Sequence, residues 1–99
     1  MPVNASIKGD ELTVTVEGRF DFSAHQEFRD AYEDAGAGVS KYVIDMSKAS
    51  YLDSSALGML LLLRDHAGGE SSNVRITRCN PDVKKILTIS NFEQLFTID

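Results

Sequence analysis

The sequence is short of several things, and each shortage excludes a class of function. Its single cysteine, Cys79, cannot form an internal disulfide, so nothing in the chain requires an oxidising compartment. Positive charge is scarce: 10 Lys and Arg against 15 Asp and Glu leave a net charge of −5. A domain of that sign repels phosphates, which argues against nucleic acid and against an anionic membrane surface. Lys84-Lys85 is the one short basic pair. No long hydrophobic run is present. The longest, Met59 to Leu63, falls far short of the about 20 residues that span a bilayer. No basic stretch followed by an apolar one opens the chain, so no signal peptide, no membrane insertion and a cytoplasmic location are expected. No glycine-rich segment has the spacing of a nucleotide-binding loop. His25 and His66 each stand alone, without a second ligand at metal spacing, and are expected on the solvated surface. Neither a metal nor a cofactor is expected.

What is there reads as one domain over residues 1–99. Apolar residues make up 42 % and charged residues 25 %, ordinary for a globular protein. A chain of this length buries roughly two-thirds of its unfolded surface. That supports one core and leaves little room for a deep, closed active site.

Val3 to Ile7 and Leu12 to Val16 alternate apolar and polar residues, the pattern of half-buried strands. Gly9-Asp10 between them suits a tight hairpin turn, with glycine supplying positive φ. Ser23-Ala24-His25-Gln26 matches a capping box for a helix whose apolar face is Ala24, Phe28, Ala31, Tyr32 and Ala35. Gly36 and Gly38 stop it. Tyr42-Val43-Ile44, running to Met46, has the low polarity of a central strand. A second helix is expected from about Ser55 to His66, stopped by Gly68-Gly69. Val74 to Arg78 alternates again. Asn80-Pro81 caps and starts a helix with Val83, Ile86 and Leu87 as its stripe, and Leu95 to Ile98 suits a last short strand. The order ββαβαβα, with a possible final β, indicates an α/β domain: a mixed, mostly parallel sheet with an N-terminal hairpin and about three to four helices.

The segment Tyr51-Leu52-Asp53-Ser54-Ser55-Ala56-Leu57-Gly58 places a carboxylate and two hydroxyls before the most apolar helix. Ser54 suits the N-cap, where its hydroxyl would accept a first-turn N–H. Free N–H groups and the positive end of the helix dipole would also tolerate a phosphate there, although Asp53 opposes it by like charge. At 100° per residue, Ala56, Met59, Leu60 and Leu63 face the sheet, while Ser54, Gly58 and Asp65 face outward. Leu57, Leu61 and Leu62 flank that outer face. They exceed what one buried stripe requires, so either a neighbouring helix covers them or they form a docking patch. A plain helix cap remains the simpler reading of Ser54. A Ser54–His66–Asp53 hydrolase is disfavoured, because the motif is not G-x-S-x-G and His66 lies about three turns down the same helix. Cys79 is expected as a buried or half-buried thiol.

"YLDSSALG" resembles the phosphorylation motif of STAS-domain anti-sigma factor antagonists, usually D-S-S/T-G-L-G. Gly18-Arg19-Phe20-Asp21 resembles that family's G-x-x-D. Tyr42 to Ser47 resembles its central strand, and Asn80 to Phe96 its C-terminal signature. The likeness spans nearly the whole chain in order. It implies a single STAS-like domain that is not an enzyme. By that resemblance Ser54 is the phosphorylated serine and Ser55 the less favoured acceptor. Asp21 lies near the phosphosite and helps partner recognition, and Asp53 shapes the turn. Leu57 and Gly58 match the motif, and with Asp21, Asp53, Ser55, Leu61 and Leu62 they form the expected partner surface. Ala56 departs from the family's frequent glycine. It should firm the first turn by about 1 kcal/mol, and its methyl beside the site would bear on kinase choice. The unphosphorylated form would bind an anti-sigma factor or a serine kinase with a histidine-kinase-like ATPase fold. Phosphorylation would release it, and a serine phosphatase would reset it. A monomer is expected. The alternative is a STAS subunit of an ABC-type lipid transporter bound to its ATPase; a scaffold of a stress-sensing assembly is weaker still. The Asp-Ser-Ser turn and the Asn91–Phe96 tail favour the antagonist.

Overall fold

A computed structural model describes residues 2–99. The chain forms β1 (Val3–Lys8), β2 (Glu11–Val16), β3 (Gly18–Phe20), α1 (His25–Glu33), β4 (Lys41–Asp45), β5 (Ala49–Leu52), α2 (Ser54–His66), β6 (Val74–Thr77), α3 (Pro81–Ile89) and β7 (Thr97–Ile98), with short 3₁₀ turns at Phe22–Ala24, Gly69–Ser71 and Phe92–Gln94. The main sheet has the order β1-β2-β4-β6-β7. β1 pairs antiparallel with β2 through a two-residue turn in which Gly9 has φ +64°. All other neighbours are parallel. The expected mixed, mostly parallel α/β domain is therefore present, with β4 at the centre.

Register explains how the core is made. Leu12 lies beside Tyr42 and Tyr42 beside Val74, while Val14, Ile44 and Ile76 form the next row. All six are buried, and they share one face because side chains alternate along a strand. The opposite face carries Thr13, Thr15, Asp45, Arg75 and Thr77, which stay half-buried or exposed. The helices thus cover one face. α1 packs on β1, β2 and α2, and α3 packs on β5. Phe28 and Tyr32 of α1, Met59, Leu60 and Leu63 of α2, and Val83 and Leu87 of α3 join a single core.

Three local expectations are corrected. Ser23 does not cap α1. Its amide and its hydroxyl both donate to Asp21, whose side chain caps the preceding 3₁₀ turn, while Gln26 donates to Asp30 within the helix. With its hydroxyl donated to the Asp21 carboxylate, Ser23 is held in the 3₁₀ turn ahead of α1 and does not serve as the α1 cap. In β1 only Val3 is buried, because the strand lies at the sheet edge and an open groove between it and α1 leaves Ala5 and Ile7 uncovered. The short strands β3 and β5 are a parallel pair outside the main sheet, absent from the sequence expectation.

Leu60 is fully buried and Leu61 is 39 % exposed. Leu60→Ala should cost about 2–5 kcal/mol, and Leu61→Ala less than about 1 kcal/mol. Urea unfolding of both variants tests whether α2 is seated as described.

Candidate functional site

The site grows out of the β3–β5 pair. Phe20 lies beside Leu52, both buried, and the Asp53 amide donates to the Phe20 carbonyl at 3.3 Å. The two strands run parallel, so Asp21 and Asp53 leave them side by side at the same end. Each aspartate then does the same work. Asp21 accepts from the Ser23 amide at 3.0 Å, and Asp53 accepts from the Ala56 amide at 3.0 Å. Both cap a helical turn.

Asp53, not Ser54, is therefore the N-cap of α2, and Ser54 is the first helical residue. This corrects the expectation that the serine caps the helix. Asp53 has extended backbone, φ −113° and ψ −174°, and its short carboxylate reaches the amide three residues on. The Ser54 hydroxyl is released from any capping role and is exposed, whereas Ser55 is half-buried. Ala56 is fully buried. Its methyl points into the core rather than beside the hydroxyl, so the expectation that it bears on kinase choice is corrected too.

The helical-face reading holds except at Leu61, which lies on the outer face rather than at its edge. Ala56, Met59, Leu60 and Leu63 are buried; Ser54, Gly58 and Asp65 are exposed; Leu57 is half-buried. Leu61 lies on the Ser54 face, and Leu62, 52 % exposed, lines a shallow cleft with Arg29, Tyr32, Glu33 and His66. A Cβ built on Gly58 meets no heavy atom within 4 Å. The monomer's packing therefore does not require glycine there.

The sequence reading missed two aromatic residues at the site. Phe22 follows Asp21 and is 68 % exposed, and Tyr51 precedes Leu52 and is 41 % exposed. Arg19, paired with Tyr51 across β3 and β5, lies over its ring at 4.7 Å and sits 3.7 Å from the Asp21 carboxylate. The exposed aromatics had a signal in the sequence only once β3 and β5 are recognised as strands, because the pleat turns Tyr51 away from buried Leu52.

The Asp21 carboxyl is held below its ordinary value near 3.8 by the Ser23 hydroxyl, then by the Ser23 amide and by Arg19, against a smaller opposing desolvation. It is ionised at neutral pH. Its stabilising contribution is present above the ordinary value and is lost as pH falls through the lower folded one. Burial pushes the Cys79 thiol up, which favours its protonated form. The His66 ring packs on Tyr32 at 4.9 Å, and the His25 ring stacks on Phe22 at 5.2 Å. Neither histidine belongs to a group of three metal-capable side chains among the described residues. No helix among the described residues is long and apolar enough to cross a membrane.

Comparison with known proteins now fits this geometry. A family model described as "Mlab, STAS domain" matches residues 3–97. The chain belongs to the STAS domain family. It is 62 % identical over 93 residues to a STAS-domain-containing protein of Pseudomonas aeruginosa (strain UCBPP-PA14), covering 94 % of this chain and 92 % of the other. Among solved structures, an anti-sigma factor antagonist from Mycobacterium paratuberculosis superposes with a TM-score of 0.80 at 17 % identity, covering 97 % of this chain and 82 % of the other. The anti-sigma factor antagonist SpoIIAA in its unphosphorylated form gives 0.76 at 15 % identity, covering 98 % and 86 %. The Bacillus cell fate determinant SpoIIAA in its phosphorylated form gives 0.68 at 13 % identity, covering 98 % and 90 %. At these identities the structures establish a shared STAS fold, that of the anti-sigma factor antagonists.

The Asp53 cap predicts a split between adjacent residues. Asp53→Ala should lower stability by about 0.5–2 kcal/mol, while Ser54→Ala should stay within about 0.5 kcal/mol of the parent. Thermal or urea unfolding of the two variants decides which residue holds the helix.

Proposed function

We propose that the chain is a binding protein of the anti-sigma factor antagonist type, switched by phosphorylation of Ser54. One observation carries this reading. An exposed Ser54 hydroxyl, free of structural duty, opens α2 directly after Asp53, at the end of the β3–β5 pair from which Asp21 also leaves, and shares its helix face with exposed Leu61. Leu61 is seven residues along the helix, about 10 Å away and on the same face. Leu61, with exposed Phe22 and Tyr51 next to the strand ends that carry Asp21 and Asp53, suits burial against a partner.

The switch follows from charge. A phosphate brings about −1.5 to −2 charges. On Ser54 it adds them to those of Asp53 and Asp21, inside a surface that must lose its water on binding. Leaving such charge unpaired in an interface costs several kcal/mol, and each about 1.4 kcal/mol is tenfold in affinity. The first-turn N–H groups and the helix dipole keep the phosphorylated monomer itself stable. The unphosphorylated form binds an anti-sigma factor or a serine kinase with a histidine-kinase-like fold. The kinase marks Ser54, and a serine phosphatase restores the binding form.

Gly58 belongs to this function rather than to the fold. Gly58→Ala should stabilise the protein by about 0.5–1 kcal/mol and weaken the partner complex, because the added methyl stands on the outward face. In a pull-down from native cells, wild type and Ser54→Ala should retain the same partner and Ser54→Asp should lose it. Equal recovery by all three rejects the switch, and an ABC-type ATPase recovered by all three supports the transporter-subunit reading. Intact-mass analysis should show one phosphate, mapped to Ser54; phosphate on Ser55 alone overturns the assignment.

A further inference from the structure

The edge formed by β1 and α1, which contains none of the residues placed around Ser54, has the features of a second binding site. A groove of about 510 Å³ runs between this strand and this helix. Its floor is apolar, with Ala5 and Ile7 on β1 and Ala31 and Ala35 on α1. Ile7 is 54 % exposed. Its rim is acidic: Glu27, Asp30 and Asp34 line it, and no basic residue does. The spacing 27, 30, 34 puts the three carboxylates on one side of α1. None of them is in an ion pair among the described residues. Glu27 Oε2 is buried without a hydrogen-bond partner among the described residues, an arrangement that a cationic or N–H donor would relieve.

The backbone beside the groove is also open. Residues of an antiparallel pair alternate between bonding across the pair and pointing away from it. The Glu17 amide donates to the Pro2 carbonyl at 2.7 Å, which sets the phase. Pro2, Asn4, Ser6 and Lys8 therefore face β2, and the N–H and C=O groups of Val3, Ala5 and Ile7 point outward. Among the described residues β1 has no neighbouring strand on that side.

The geometry points to a site for an extended, basic peptide segment that adds to β1 as a further strand, with Lys or Arg at every second position facing α1. Alternate residues of a strand are about 6.7 Å apart. Asp30 and Asp34 are about 6 Å apart along the helix axis. The lysine stems lie across Ala5, Ile7, Ala31 and Ala35, and their ammonium groups reach the three carboxylates, as long cationic side chains do on apolar surface. A second copy of this chain is the poorer occupant. Antiparallel pairing of two β1 strands puts both α1 helices on the same face. It brings two acidic rims together, on chains that each carry −5.

Three capped hexapeptides, Lys-Thr-Lys-Thr-Lys-Thr, Glu-Thr-Glu-Thr-Glu-Thr and the clustered Lys-Lys-Lys-Thr-Thr-Thr, test the site by amide NMR titration and hydrogen exchange. The alternating lysine peptide should shift and protect the Val3, Ala5 and Ile7 amides. The clustered peptide should bind at least tenfold more weakly, and the glutamate peptide not at all. Ala5→Pro removes an outward N–H at an edge position that tolerates proline, and it should abolish binding. The double variant Asp30→Asn, Asp34→Asn should weaken binding about tenfold. Equal binding of both lysine peptides, binding unaffected by either variant, or concentration-dependent protection of the same amides without peptide overturns the proposal, the last in favour of self-association.

Discussion

The bond from the Ala56 amide to the Asp53 carboxylate, 3.0 Å long, fixes the candidate site. It sets where α2 begins, and the phase of every later residue follows at 100° per step. With that start, Ala56, Met59, Leu60 and Leu63 fall into the core while Ser54 and Gly58 fall on the outside. A start one residue later would rotate the apolar stripe off the sheet. Asp53 is itself held by the hydrogen bond its backbone N–H donates to the Phe20 carbonyl and by the pairing of β5 with β3. The small parallel pair thus aligns two aspartates, and the aspartates start two helical turns. The serine is left with no structural task.

That division of labour separates the residues that hold the fold from those the proposed switch would use. The cap and the buried stripe carry the energy of folding. The hydroxyl, the glycine with open space above it, and the exposed aromatic and leucine side chains contribute little to it. A charge can therefore be added to Ser54 without unfolding the chain, and its effect falls on whatever docks there. Arg19, set between Tyr51 and Asp21, keeps one positive charge at the edge of an otherwise acidic patch.

Much of this was legible in the sequence. The strand and helix order, the hairpin at Gly9, the cap at Asn80, the buried and outward faces of α2 and the resemblance to the antagonists all follow from residue spacing and motif. Three things were not legible. Asp53 and Ser54 are both good caps, and only backbone geometry decides between adjacent candidates. Gly18–Phe20 and Ala49–Leu52 are too short for a period of two to register, so the pair that aligns the site was hidden, and exposed Phe22 and Tyr51 with it. The alternation of Val3 to Ile7 was genuine, yet alternation says which residues share a face and not whether a helix covers it. At the sheet edge it does not, which leaves the acidic groove.

The central claim is that Ser54 phosphorylation changes a surface and not a fold. The most direct test is to install phosphoserine at position 54 and compare amide NMR spectra with the unmodified protein. The account predicts shifts confined to the ends of β3 and β5 and the first turns of α2, with core amides such as Ile44, Ile76 and Leu87 unmoved. Shifts spread through the core, or loss of the α2 helical pattern, would contradict it.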